Sequence, residues 1–228
     1  MKDSYSTLYY EIYALMSIEL AFPEYSRNML KGECPDWHSI IDNIGLEISR
    51  AENNHIGYCT KFSNTYLGKN RKEIPSQKIS EFKGNLFFDD NDKLFAISDS
   101  KGLVDGCRHI HFAISSVENK LKRLNSCSFC RFNENDLYLF LTNSIHGNDL
   151  SIFLEKYHCI EREFQYRFSR IFLFDNNSLY SIIIKDYFIK QYCFSGEALM
   201  MLKFKAKHLC GNWSVGKPFY SQYRHLLL

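Results

Sequence analysis

Along residues 5–22 apolar side chains recur at helical intervals on two faces. Leu8, Ile12, Leu15 and Phe22 form one stripe, and Tyr5, Tyr9, Tyr13, Met16 and Leu20 form a second. That period predicts a helix, and Pro23 ends it. Glu19 lies four residues after Leu15 and three before Phe22, inside an apolar face where an unpaired charge is costly. From Trp37 the period falls to two. Runs at 37–41 and 44–49 flank the turn residues Asp42-Asn43 and predict a hairpin, with Leu46 and Ile48 on one face and Glu47 and Ser49 on the other.

Residues 51–73 are mixed and polar, a loop or a short helix. Two short strands are expected within 75–100, around the acidic turn Asp89–Asp92. A second helix is expected over 109–124, burying Ile110, Ile114, Val117, Leu121 and Leu124, with Lys120, Lys122 and Arg123 near its end. Asp136–Thr142 reads as a buried strand and Asp149–Tyr157 as a short helix. Arg170–Phe174 and Ser178–Ile184 flank Asp175-Asn176-Asn177, the clearest hairpin signal in the chain. A further helix over 195–209 leads into a basic tail. Helices alternating with strands predict a single α/β domain around a central mixed β-sheet flanked by helices.

Composition narrows the class. The 228 residues are 45% hydrophobic and 24% charged, with 19 Phe, 15 Tyr and 2 Trp but only 11 Gly and 4 Pro. Fibrous, low-complexity and disordered classes are excluded. No stretch approaches the roughly 18 apolar residues of a membrane helix, so no membrane partner is expected. Asp3, Glu11 and Glu19 interrupt any signal-peptide core. A cytoplasmic chain with reduced cysteines follows as an expectation. The net charge of +2 divides unevenly: residues 1–100 hold 11 Lys and Arg against 15 Asp and Glu, the rest 17 against 11. Such a split serves internal pairing or a basic face for a polyanion.

The segment richest in chemistry is Pro35-Asp36, ten intervening residues, then Glu47-Ile48-Ser49. A hairpin brings Asp36, at the start of its first strand, beside Glu47 on its second. Two hard oxygen ligands about 4–6 Å apart suit Mg²⁺ or Mn²⁺, with water and a substrate phosphate completing the shell.

This segment resembles the PD-(D/E)XK nuclease superfamily, the restriction-endonuclease-like fold. Cys34-Pro35-Asp36-Trp37 and Ile44-Gly45-Leu46-Glu47-Ile48-Ser49-Arg50-Ala51 are similar to small bacterial and phage members reading roughly "PDF…IGIEVTRA". The helix ISSVENKLKRLN (114–125) is similar to their helix ending in "KLxKLN". The resemblance spans about residues 5–185 in element order, leaving about 186–228 as a C-terminal elaboration. It implies a restriction-endonuclease-like core of helix, three-stranded meander, helix and strand. It also implies a magnesium-dependent nuclease hydrolysing DNA phosphodiester bonds, an endodeoxyribonuclease-like hydrolase.

In that reading Asp36 and Glu47 hold the metal, and Glu19 on the first helix is a further acid. The superfamily's lysine, two residues after the Glu, is Ser49 here. Its role passes to the following helix, where Lys120 is the candidate. The alternative is a catalytically inactive copy kept as a nucleic-acid- or protein-binding module, with Ser49 as its mark. Many members act as dimers, so a homodimer stays open, but no seam is legible.

Other motifs carry less. Cys127-Ser128-Phe129-Cys130 has zinc spacing, but no second C-x-x-C accompanies it, and Cys34, Cys107, His109 and His111 could join only through folding. Zinc is therefore not expected; a zinc-stabilised interaction protein is the third and weakest reading. There is no G-x-S-x-G and no phosphate-cradling glycine loop. The tail mixes Lys203, Lys205, Lys207, Lys217 and Arg224 with Phe204, His208, Trp213, Phe219 and Tyr220. Cations among rings can track a nucleic-acid backbone and stack bases, although a solvated helix face with core aromatics is the plainer account of them.

Overall fold

The computed structural model describes residues 2–23, 25–51, 61–82, 84–99, 108–141, 143–214 and 216–223. The chain divides into two compact units: residues 1–51 with 113–228, and residues 52–112 between them.

The larger unit opens with α1, Lys2–Ala21. Residues 11–18 of this helix are all buried, because apolar stripes on two faces leave it no solvent side. Three strands follow, β1 (Leu30–Lys31), β2 (Trp37–Ser39) and β3 (Ile44–Ala51), each antiparallel to the one before. The β2–β3 turn contains Asn43 at φ 55°, a left-handed conformation that Asn tolerates better than most residues. After the insertion come α3 (Arg108–Leu124), β6 (Glu134–Leu141), α4 (Asp149–Glu161), β7 (Arg170–Asp175), β8 (Ser178–Ile183) and β9 (Phe188–Cys193). Helices α5 (Gly196–Gly211) and α6 (Phe219–Tyr223) close the chain.

These strands form one seven-stranded sheet in the order β1-β2-β3-β6-β7-β8-β9. Strands β3, β6 and β7 run parallel and the outer pairings are antiparallel, so the sheet is mixed. A parallel return needs a long crossover. The 52–112 segment plus α3 supplies it from β3 to β6, and α4 supplies it from β6 to β7. Helix α1, packed with α5 and α6, covers one face over Trp37, Leu46, Ile48, Tyr138, Phe172 and Phe174. Leu137, Leu139, Ile171 and Leu173 on the opposite face are fully buried as well, as central parallel strands require. The α/β class and the central mixed sheet agree with expectation. The C-terminal elaboration is woven into this core: β9 extends the sheet and α5 packs on α1.

The smaller unit builds its own core from Phe62, Ile74, Phe82 and Leu94. It holds a helical stretch at 61–66, a 3₁₀ turn at Arg71–Glu73 capped by Asn70, helix α2 (Ser76–Glu81), and the hairpin β4 (Gly84–Phe88) and β5 (Leu94–Asp99). Asp92, at φ 58°, takes the left-handed position in the acidic turn. Among the described residues no helix is long and apolar enough to cross a membrane.

One buried acid reports on the sheet's interior. Asp136 is fully buried, and its Oδ2 accepts a 2.7 Å hydrogen bond from the Tyr25 hydroxyl while Oδ1 has no partner. Burial pushes its pKa up to about 7, against the lowering effect of the Tyr25 bond and the Arg170 charge. A raised folded-state pKa means stability that is present below the carboxyl's ordinary range and lost as pH rises through about 7. Asp136→Asn should therefore raise the thermal midpoint near pH 8, with the gain shrinking as pH falls below about 7 toward the carboxyl's ordinary range. Melting followed by circular dichroism across that range checks it, and a gain independent of pH contradicts it.

Candidate active site at the open edge of β3

Strand β3 is longer than its neighbour. Its pairing with β2 runs only from Ile44 to Leu46, opposite Ser39 to Trp37. From Glu47 to Ala51 it pairs with β6 alone, so the other edge of that half-strand is open. The residues that fill the gap make the site.

Asp36 stands one position before β2, where continuing the register sets it opposite Glu47. Its Oδ2 accepts a 2.7 Å hydrogen bond from the Ile48 backbone N–H, replacing the partner that a longer β2 would provide. Behind it, Lys31 donates to the carbonyls of Gly32 and Asp36 at 2.6 and 3.1 Å, and pairs with Glu11 of α1 at 3.2 Å. Gly45 sets the spacing of the two acids: a Cβ there would lie 2.8 Å from the Phe132 ring and 2.9 Å from Pro35. Only glycine lets β3 pass this close beneath the Pro35-Asp36 turn.

Glu47 projects to the face covered by α3 and is 1% exposed. Its Oε1 accepts from Lys120 Nζ at 2.6 Å and from Arg123 at 2.9 Å, while Oε2 is buried with no hydrogen-bond partner. Lys120 and Arg123 are three positions apart, so one helical face presents both. Arg123 also donates to the Glu33 carbonyl at 3.0 Å, tying α3 to the turn that carries Asp36. Burial raises the Glu47 pKa, as does the Asp36 charge, and the cations of Lys120 and Arg123 oppose the rise. Glu11 is raised in the same way, by burial first, with Lys31 opposing.

Above this layer a cleft of about 290 Å³ is lined by Thr7, Tyr10 and Glu11 of α1, Asp36, Ile48 to Arg50 of β3, and Lys120 and Arg123 of α3. Arg50 reaches over the Tyr10 ring, 4.6 Å from its centroid. Two acids, Glu11 of α1 and Asp36 in the turn before β2, thus meet three cations at one opening, and Glu47 connects to it through Lys120 and Arg123.

Of the residues singled out from sequence, Asp36, Ser49 and Lys120 line this opening, and Glu47, buried outside the lining, joins them through Lys120. Glu19 does not: its carboxylate accepts from Ser26 and lies near Tyr223, and it is absent from the cleft's lining. The acid that α1 does contribute is Glu11, about two helical turns earlier. Its signal is weak, because both acids interrupt apolar stripes. Arg123 was accessible through the three-residue spacing from Lys120; Lys31 and Arg50 carried no local signal. Cys127 and Cys130 are both exposed free thiols, and His111 is exposed. Cys107, the His109 side chain and Arg224 lie outside the described residues. Among those described, no group of three or more His, Cys, Asp and Glu side chains converges as a metal cluster.

Comparison with known proteins returns nothing. No family model, curated protein or solved structure matches the chain.

Lys120 and Arg123 offset the cost of burying Glu47. Replacing both with Met should lower the unfolding free energy by on the order of 3 kcal/mol near pH 8. A carboxyl whose pKa is raised by burial regains its neutral form as pH falls, so the deficit should shrink toward pH 5. Urea denaturation at both pH values measures it, and an equal deficit at both contradicts the pairing scheme.

Proposed function

We propose that the protein is a nuclease that hydrolyses DNA phosphodiester bonds with Mg²⁺ or Mn²⁺ at the β3 cleft. The observation that carries this reading is the state of Glu47: a buried carboxylate with one oxygen neutralised by two cations and the other without a hydrogen-bond partner, beside a second carboxylate in the turn just before the adjoining strand.

The donor set fits a hard divalent ion. Mg²⁺ is commonly held by one or two carboxylates, with water and substrate phosphate completing its octahedron, so two acids suffice. Asp36 and Glu47, through its unpartnered Oε2, would hold it. Bound there, such an ion supplies positive charge to a phosphoryl oxygen and acidifies a water. The remaining work falls to the chain. Lys120 spends one of its three N–H donors on Glu47 and has two left to orient water or meet charge building on the phosphate. Arg50 and Arg123 line the same opening and suit phosphate oxygens. Glu11 and Lys31 hold the Asp36 turn in place. The element order of α1, the β1–β3 meander, α3 and parallel β6 supports the reading, as does the resemblance of the 34–51 segment to PD-(D/E)XK nucleases.

The alternative is a fold retained for binding alone, favoured by Ser49 at the motif-lysine position. Plasmid and single-stranded DNA cleavage with Mg²⁺ or Mn²⁺ separates the two. Wild type should cut; Asp36→Ala and Glu47→Gln should each lose about 10³-fold or more, and Lys120→Met about 10²-fold. Calorimetric titration with Mn²⁺ alone gives a second readout, in which wild type binds and Glu47→Gln does not. DNA binding without cleavage or metal uptake would favour the binding module, and equal cleavage by Glu47→Gln and wild type would sink the mechanism.

A further inference from the structure

Helix α5 buries Leu202, Ala206, Leu209 and Cys210 against the rest of the larger unit. Its outer side is not simply polar. Met200, Met201 and Phe204 are 66%, 50% and 70% exposed. Glu197 is exposed one turn before them, and Lys207 and His208 one turn after. Positions 197, 200/201, 204 and 207/208 follow the three-and-four spacing of a coiled-coil seam. A monomer rarely leaves three large apolar side chains contiguous on a helix facing water.

The charge order along this stripe identifies what covers it. Glu197 lies at one end and Lys207 at the other, equally far from Leu202, and Met200 and Phe204 are likewise symmetric about that residue. Two copies of α5 packed antiparallel about a twofold axis through Leu202 set Met200 against the partner's Phe204, and Phe204 against the partner's Met200. The same operation sets Glu197 against the partner's Lys207 at both ends. A parallel arrangement would oppose like charges at each end. Helix-dipole preference accounts for an acid early and a base late in α5, but not for three exposed apolar side chains between them.

We propose that the outer face of α5 is an isologous dimer interface whose occupant is α5 of a second copy of this chain, in antiparallel register centred on Leu202. The patch meets itself, as a twofold interface requires. The apolar centre supplies the association energy and the terminal charge pairs choose the orientation. Lys203, also exposed, sits beside the seam and faces the partner's Met201, where its stem can cover apolar surface. The proposal stands apart from the catalytic reading, since none of these residues lines the cleft.

Sedimentation of the full chain from about 1 to about 100 µM tests it. Wild type should pass reversibly from the 26.9 kDa monomer to twice that mass. Phe204→Asp should stay monomeric. Glu197→Lys and Lys207→Glu should each move the midpoint about tenfold or more to higher concentration, since each opposes like charges at both ends. An equimolar mixture of these two variants should recover dimer, because every pair is then opposite again. Circular dichroism confirms that each variant is folded; all three sites are exposed, so the core is untouched. A wild type that stays monomeric, a larger assembly, charge variants as dimeric as wild type, or a mixture that fails to recover would each overturn the proposal.

Discussion

Glu47 is a carboxylate placed where water cannot reach it, and much of the larger unit is arranged to make that tolerable. Taking such a charge out of water costs several kcal/mol unless partners replace its hydration. Here α3 delivers two, Lys120 and Arg123, to the same oxygen. The second oxygen has none. A stability argument alone would favour an apolar residue at this position, since replacing a buried ion pair by well-packed hydrophobics is often neutral or stabilising. In the proposed reading, an acid held in this way, half-satisfied and next to Asp36, is a group kept ready for a ligand.

Its position follows from strand lengths. A β2 of three residues beside a β3 of eight leaves half of β3 with one bare edge. An exposed edge invites pairing with another chain. In this fold it is filled from several directions: by the Asp36 side chain on the Ile48 N–H, by Glu11 and Tyr10 from α1, and by Lys31 from β1. The parallel pairing of β3 with β6 fixes the opposite edge and requires the crossover that brings α3 over Glu47. The architecture and the charge cluster are therefore one construction. This also refines the uneven charge along the sequence: Glu11, Asp36 and Glu47 come from the acidic first part and Lys120 and Arg123 from the basic remainder, and the two meet within hydrogen-bonding distance at Glu47.

Much of this was legible before any coordinates. Alternation across 44–49 placed Leu46 with Ile48 and Glu47 with Ser49 on opposite faces, and turn residues marked both hairpins. The apolar stripe of Ile110, Ile114, Val117, Leu121 and Leu124 is buried throughout α3. What periodicity could not resolve is whether a polar strand face meets water or a helix. Glu47 taken alone reads as a solvated strand residue and is buried, because β3 is a central strand covered on both sides. For the same reason Glu11 and Glu19 were indistinguishable: α1 is buried nearly all round, and only the tertiary setting of each acid decides which faces the cleft. Strand β9 escaped notice because five of its six residues are exposed, leaving little two-residue alternation to read.

The central claim is that Glu47 Oε2 and Asp36 form a site for a hard divalent cation. Crystals of the protein grown or soaked with Mn²⁺, measured for anomalous scattering, test it most directly. The account predicts an anomalous peak bonded to both carboxylates, at about 2.2 Å from each oxygen, with Lys120 still within reach of Glu47. Manganese bound elsewhere with these two carboxylates bare, or no peak at saturating Mn²⁺, would contradict it.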